Sequence, residues 1–98
     1  MNAQEQVTRG FEASQVLDNP AYQSAMEALK AQIVDQWKAC PVRDKEGQIL
    51  LLQLAKLTEK FESILKGMVE SGKFAQHKLD IDSARDENVV RRWARKVA

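Results

Sequence analysis

The chain has 98 residues, 44% of them hydrophobic and 6% aromatic, with 30% charged and a formal net charge of +1. That hydrophobic share is ordinary for a globular protein, which argues against disorder throughout. The near-neutral total argues against a general attraction to nucleic acid or membranes. A chain of this length makes one domain with a modest core, and its wealth of Ala, Leu, Gln, Glu and Lys favours helix over sheet. No apolar run approaches the roughly 20 residues that a bilayer requires. The opening "MNAQEQVTRG" lacks the apolar centre of a secretory signal. The single cysteine, Cys40, forms no internal disulfide and suits a reducing compartment such as a cytoplasm.

The expected fold is all-α: an antiparallel helical hairpin with a weaker helix before it and an amphipathic helix after it. The whole reads as a single small helical domain, 1–98. Segment 1–17 comes first. Val7, Phe11, Ser14 and Leu17 follow helical spacing, but Gly10 interrupts them and the flanks are polar. An isolated helix of this length is marginal in water, so this segment is expected to be flexible or ordered only against another surface.

The hairpin is expected over 20–71, with helices at about 20–40 and 45–71. Asn19 suits the N-cap and Pro20 the first helical position, where a missing N–H costs nothing. Tyr22, Met26, Leu29, Ile33 and Trp37 make one apolar stripe. Pro41 disfavours the helical conformation at Cys40 and should stop the helix there, leaving Trp37 to anchor the hairpin tip from the core side. Asp44 can cap the next helix, and Glu46 complements its dipole. In that helix Leu50, Leu51, Leu54, Leu57, Phe61, Ile64, Leu65 and Met68 recur mostly at threes and fours. This is more apolar surface than one neighbour covers, so terminal helices or other chains must cover the rest. The helix is expected to end at "ESGK", with Gly72 as a left-handed cap and Phe74 folding back on the last turn.

Segment 73–98 is expected to hold a helical turn or two and then a capped terminal helix from Asp82 or Ser83. Val89, Val90, Trp93 and Val97 form its narrow apolar stripe. Asp86 and Glu87 precede the stripe and Arg91, Arg92, Arg95 and Lys96 end it, the order that the helix dipole favours. The 26 residues carry seven basic and four acidic side chains, making this end the one local basic patch.

Catalytic and metal chemistry find little footing. A zinc site needs three or four ligands, and His77 is the only histidine; Cys40 and His77 would also need a third, orienting group for nucleophilic catalysis. Glu59 and Glu62, one turn apart and within range of Asp35, sit among Lys56, Lys60 and Lys66, which reads as a solvated ion-paired face. There is no glycine-rich phosphate loop and no serine hydrolase pattern. The expectation is therefore of no enzyme, no catalytic residue, no metal and no cofactor. Candidate partner-binding residues are Arg43 and Lys45 at the exposed turn and Val89, Val90 and Trp93 on the terminal stripe. The alternative is nucleic-acid contact by Arg91, Arg92, Arg95 and Lys96, with Trp93 stacking on a base. Trp93 falls on the valine stripe rather than among the arginines, which favours docking of that helix onto protein.

Residues 16–75 resemble small helical proteins encoded by tailed bacteriophages, often near head and packaging genes. The resemblance rests on the "NP" helix start, on "WKACPVRDKEG" and on the ending "ESGKFA". Many such proteins carry Arg at the place of Gln48, so this chain departs from the pattern in the turn. The resemblance implies a phage protein located in the host cytoplasm, and in the virion if structural. Together with the lack of a recognisable site and the surplus apolar helical surface, it leads to the expectation of a protein that acts by protein–protein binding as a small virion, assembly or packaging component, with homo-oligomerisation as a further expectation. A host-enzyme inhibitor is the alternative, and nucleic acid is a less favoured partner. No membrane association is expected.

Overall fold

The computed structural model describes residues 1–97. The side chain of Val97, last on the terminal stripe, and Ala98 lie outside the described residues. Three helices follow in order: α1 (Ala3–Asp18), α2 (Pro20–Ala39) and α3 (Lys45–Val97). The chain is all-helical, and among the described residues there is no strand.

Local chemistry sets each boundary. Asn2 caps α1 by accepting from the Glu5 amide at 2.8 Å. Asn19 alone separates α1 from α2, in an extended conformation, and serves both. Its N–H donates to Val16 O at 3.1 Å, closing α1. Its side-chain oxygen accepts from the Ala21 and Tyr22 amides at 2.8 and 3.1 Å, opening α2 over Pro20. Gln23 Nε2 then reaches back to Leu17 O at 2.9 Å, so a free carbonyl of the first helix is satisfied by the second. Cys40 ends α2 with its backbone extended before Pro41, as the proline demands. Asp44 Oδ1 accepts from the Gly47 amide at 3.0 Å and caps α3. Gln48 Nε2 donates to both Pro41 O (3.2 Å) and Val42 O (3.1 Å), so its side chain ties the turn to the helix by hydrogen bonds.

The third helix corrects the expected division. It spans 53 residues without a break at Gly72, and no glycine has a positive φ. The reason is what Gly72 touches. A Cβ built there would stand 2.9 Å from the Gly10 Cα, and one built on Gly10 would stand 2.9 Å from both the Gly72 Cα and Met68 O. Two glycines let the backbones of α1 and α3 meet, so Gly72 is a packing glycine inside a helix rather than a cap after one. Phe74 accordingly points to solvent and does not fold back.

The same contact reverses the reading of α1. Gly10 does not interrupt this helix; it and Ala13 are its buried residues. On α3, Gly72 and Ala75 are buried opposite them and Leu79 is half-buried. Of the two shorter helices, α1 is the more closely packed on α3.

The second helix touches α3 through a looser set of side chains. Ile33, Val34 and Trp37 line a shallow apolar hollow with Leu51, Leu52 and Ala55. The Tyr22 and Phe61 rings lie 6.4 Å apart, and Lys30 Nζ meets Glu62 Oε1 at 2.6 Å. No residue of α2 is buried, and Trp37 remains 59% exposed. Its expected role as an inward anchor is therefore not realised: the indole rests on the rim of the hollow.

The result is a rod. Its extents are 83 × 26 × 16 Å and its radius of gyration is 22.8 Å, against about 13 Å for a compact domain of this length. Among the described residues the buried apolar ones are Ala13, Leu51 and Ala75.

Candidate functional site: the bare seam of the long helix

Along α3, two faces run side by side. The covered one carries Leu51, Ala55, Thr58, Glu62 and Leu65, all buried or half-buried. One residue earlier at each step stand Leu50, Leu54, Leu57, Phe61 and Ile64, all exposed. Their spacings of four, three, four and three place them in one line on the helix surface. Leu57, at the centre, is 64% exposed and Leu50 57%. Leu50, Leu54 and Leu57 are the bare centre of this line, whereas Phe61 meets the Tyr22 ring of α2 and Ile64 lies beside Met1, Gln6 and Arg9, both staying about half exposed. Further along, the line reaches Met68, half-buried, and then Ala75, which is 1% exposed under α1. The bare seam is thus bounded: it opens near Gly47 and closes where α1 lies on the helix.

Exposure of this kind is unusual in quantity. The chain presents 8153 Å² to solvent, whereas a compact monomer of 11.1 kDa presents about 5,700 Å². Contiguous apolar surface left in water marks an interaction site. A second apolar patch lies around the α2–α3 hollow, where Val34, Trp37 and Leu52 stay exposed at its rim.

Glu62 Oε1 is buried and receives no well-aligned hydrogen bond, so the Lys30 ammonium at 2.6 Å is what offsets its lost hydration. In return Glu62, and to a lesser degree Glu59 and Tyr22, raise the Lys30 pKa above the ordinary 10.5, against the opposing effect of desolvation. The partner of Glu62 is thus a lysine of α2, not Lys56, Lys60 or Lys66 of its own helix as sequence spacing suggests. Cys40 Sγ sits 3.8 Å from Pro41 O and Asp44 O, and 3.9 Å from Asp44 Oδ2. Burial first and the Asp44 carboxylate second push its thiol pKa up, away from the thiolate that nucleophilic or metal chemistry uses. His77 is exposed on α3. Among the described residues no group of three or more His, Cys, Asp or Glu side chains converges as a metal site would require.

The remaining candidates fall at two separate places. Arg43 and Lys45 are exposed at the turn before α3. Val89, Val90 and Trp93 lie far along the same helix, and every residue from Asp80 to Lys96 is exposed. Trp93 is 66% exposed and packs on neither α1 nor α2, so the expected docking of this segment does not occur within the chain. Arg91, Arg92, Arg95 and Lys96 surround it, also exposed. Among the described residues no helix is long and apolar enough to cross a membrane.

No family model, curated protein or solved structure matches the chain.

Proposed function

We propose that the chain is a non-enzymatic protein that works by binding other proteins through the exposed apolar faces of its helices, as a small structural or assembly component of a phage particle. The observation that carries the binding part is the line Leu50, Leu54, Leu57, Phe61 and Ile64, which stays exposed along its whole length. The phage part rests on the sequence resemblance over residues 16–75. In this reading α2 and the first half of α3 form an antiparallel αα-hairpin, with Arg43 and Lys45 at its tip. The long helix then serves as a rigid spacer, about 80 Å long at 1.5 Å per residue. Its apolar seam and its exposed terminal stripe of Val89, Val90 and Trp93 meet partners at separate places.

Affinity capture of the tagged chain from phage-infected cells, together with mass spectrometry of purified particles, tests this. A structural or assembly component appears in particles or in their precursors, and Leu57→Glu removes it from them. A chain that instead co-purifies with one host enzyme, and is absent from particles and precursors alike, would identify a host-directed inhibitor. Undiminished incorporation of the Leu57→Glu variant would refute the seam as the binding surface.

A further inference from the structure

We propose that the bare seam of α3 is occupied by the same seam of a second copy of this chain, in antiparallel orientation. This rests on the reading of the seam as a protein-binding surface and names its partner. The period supplies the first reason. Extended one step towards the start of α3, the line reads Gly47, Leu50, Leu54, Leu57, Phe61 and Ile64, with alternating spacings of three and four. That is the a/d repeat of a coiled coil, whose natural partner is another helix with the same repeat.

Size complementarity supplies the second. Antiparallel coiled helices set a positions against d positions. Centred between Leu54 and Leu57, that arrangement places each Leu54 against a Leu57 and each Leu50 against a Phe61. Four layers result, with the larger Phe61 facing the smaller Leu50, and they end at the Asp44 carboxylate that lies against Gly47. A parallel pairing in register would stack Phe61 on Phe61 and crowd that layer.

The third reason is the position of α1. Gly10 and Gly72 bring α1 into backbone contact with α3, and Ala75, the later a-type place on the seam, is buried beneath it. Two parallel copies would each drive α3 into the partner's α1 beyond Ile64. In the antiparallel arrangement the partner's residues beyond Ile64 pass the beginning of α3 instead, and the two α1 helices lie at opposite ends. The fourth is closure. A closed two-fold pairing uses the surface once and stops, without forming a filament.

Sedimentation equilibrium of the full chain over 1–100 µM is expected to give twice the 11.1 kDa monomer mass. Leu57→Glu, which places two like charges at the centre of the interface, is expected to return the monomer mass. Phe74→Glu, an equally exposed apolar residue on another face of α3, should leave the dimer intact. Orientation is read by spin labels in a Cys40→Ser, Lys66→Cys background. The two labels should lie about 30–35 Å apart in the antiparallel dimer, from 1.5 Å per residue along the helix, and about 10–20 Å apart in a parallel one. A wild-type chain that is monomeric at 100 µM, a short label distance, or equal disruption by Phe74→Glu would each overturn the proposal. A monomeric wild type whose capture by another protein is still lost in Leu57→Glu would refute self-pairing while sparing the broader binding reading.

Discussion

Replacing Gly10 by Ala isolates the contact that joins α1 to the long helix. In an unobstructed helix the change is favourable, because Ala exceeds Gly in helix propensity by about 1 kcal/mol. At Gly10, however, the added Cβ would stand 2.9 Å from the Gly72 Cα and 2.9 Å from Met68 O, both backbone atoms that no rotamer change can move. Carbon atoms prefer roughly 3.5–4.0 Å, so α1 must retreat by most of an ångström along its closest approach. Such overpacking costs about 1–3 kcal/mol, and it falls on a helix whose own buried residues are Gly10 and Ala13. The net expectation is destabilisation by up to about 2 kcal/mol, with α1 loosened first. Gly67→Ala is the matched control: it lies in α3, nothing stands within 4 Å of its Cβ, and it should be stabilising by the full propensity gain. Amide hydrogen exchange resolved by segment, with thermal unfolding followed by circular dichroism, reads both. Protection should fall across residues 3–18 in Gly10→Ala and remain at least as high in Gly67→Ala. Equal stabilisation by the two substitutions would show that α1 and α3 do not approach as described, and the account of Gly72 as a packing glycine would fail with it.

The other expectations concern single polar groups and the terminal stripe. Tyr22 Oη is buried without a hydrogen-bond partner, so Tyr22→Phe should raise stability by up to about 1 kcal/mol in denaturant titrations; a loss would show that the hydroxyl has a partner. Lys30 has its pKa raised by Glu62; a cation whose folded pKa is raised contributes stability fully present below the ordinary 10.5 and lost as pH rises through the folded value. The wild-type melting temperature should therefore fall more than that of Glu62→Gln between pH 9 and pH 12, and parallel curves would discount the ion pair. Asn19→Ala should cost about 1 kcal/mol and fray the start of α2, seen as faster amide exchange at Ala21 and Tyr22, whose N–H groups it caps. Trp93 is exposed within the chain, so Trp93→Ala should change monomer stability by less than about 0.5 kcal/mol; a large loss would reveal that its ring is buried in an assembly.

Helix class and most boundaries were legible because they are written in local chemistry. Asn19 with Pro20, Pro41 after Cys40, and Asp44 ahead of Gly47 each act within a few residues, and the hydrogen bonds fall where those residue types place them. What local reasoning misread were the two glycines. Gly10 read as an interruption and Gly72 as a terminus, since each is the poorest helix former in its stretch apart from proline. Their meaning is tertiary, because a missing side chain matters only when another backbone occupies its place. A signal did exist: Gly10 and Ala13 repeat the three-residue spacing of Gly72 and Ala75, and all four are buried. The Lys30–Glu62 pair was hidden for a related reason, since the lysines nearest in sequence offered a sufficient account of the carboxylate. The seam's leucines and aromatics were legible as surplus apolar surface. Their exposure was not, because sequence does not say which of two adjacent faces α1 and α2 select.

That selection has a physical logic. The covered face of α3 sets Leu51 and Leu65 among the small or polar residues Ala55, Thr58, Gly72 and Ala75. The small ones allow close helix contact but bury little apolar area. The bulky residues Leu50, Leu54, Leu57, Phe61 and Ile64 are left on the other face. A chain that folded for its own stability alone would do the reverse. The exposed end of α3 follows the same division. Arg91, Arg92, Arg95 and Lys96 are four cations beside a bare Trp93. Four phosphate contacts give a salt slope no steeper than about −4 per chain on duplex nucleic acid, a small electrostatic contribution for a single chain. Held in antiparallel pairs, the two basic ends would stand at opposite poles of the rod, too far apart to act on one site. Duplication would therefore add little to any grip on nucleic acid at a single place, whereas it would present two identical Val90–Trp93 stripes to protein partners on either side.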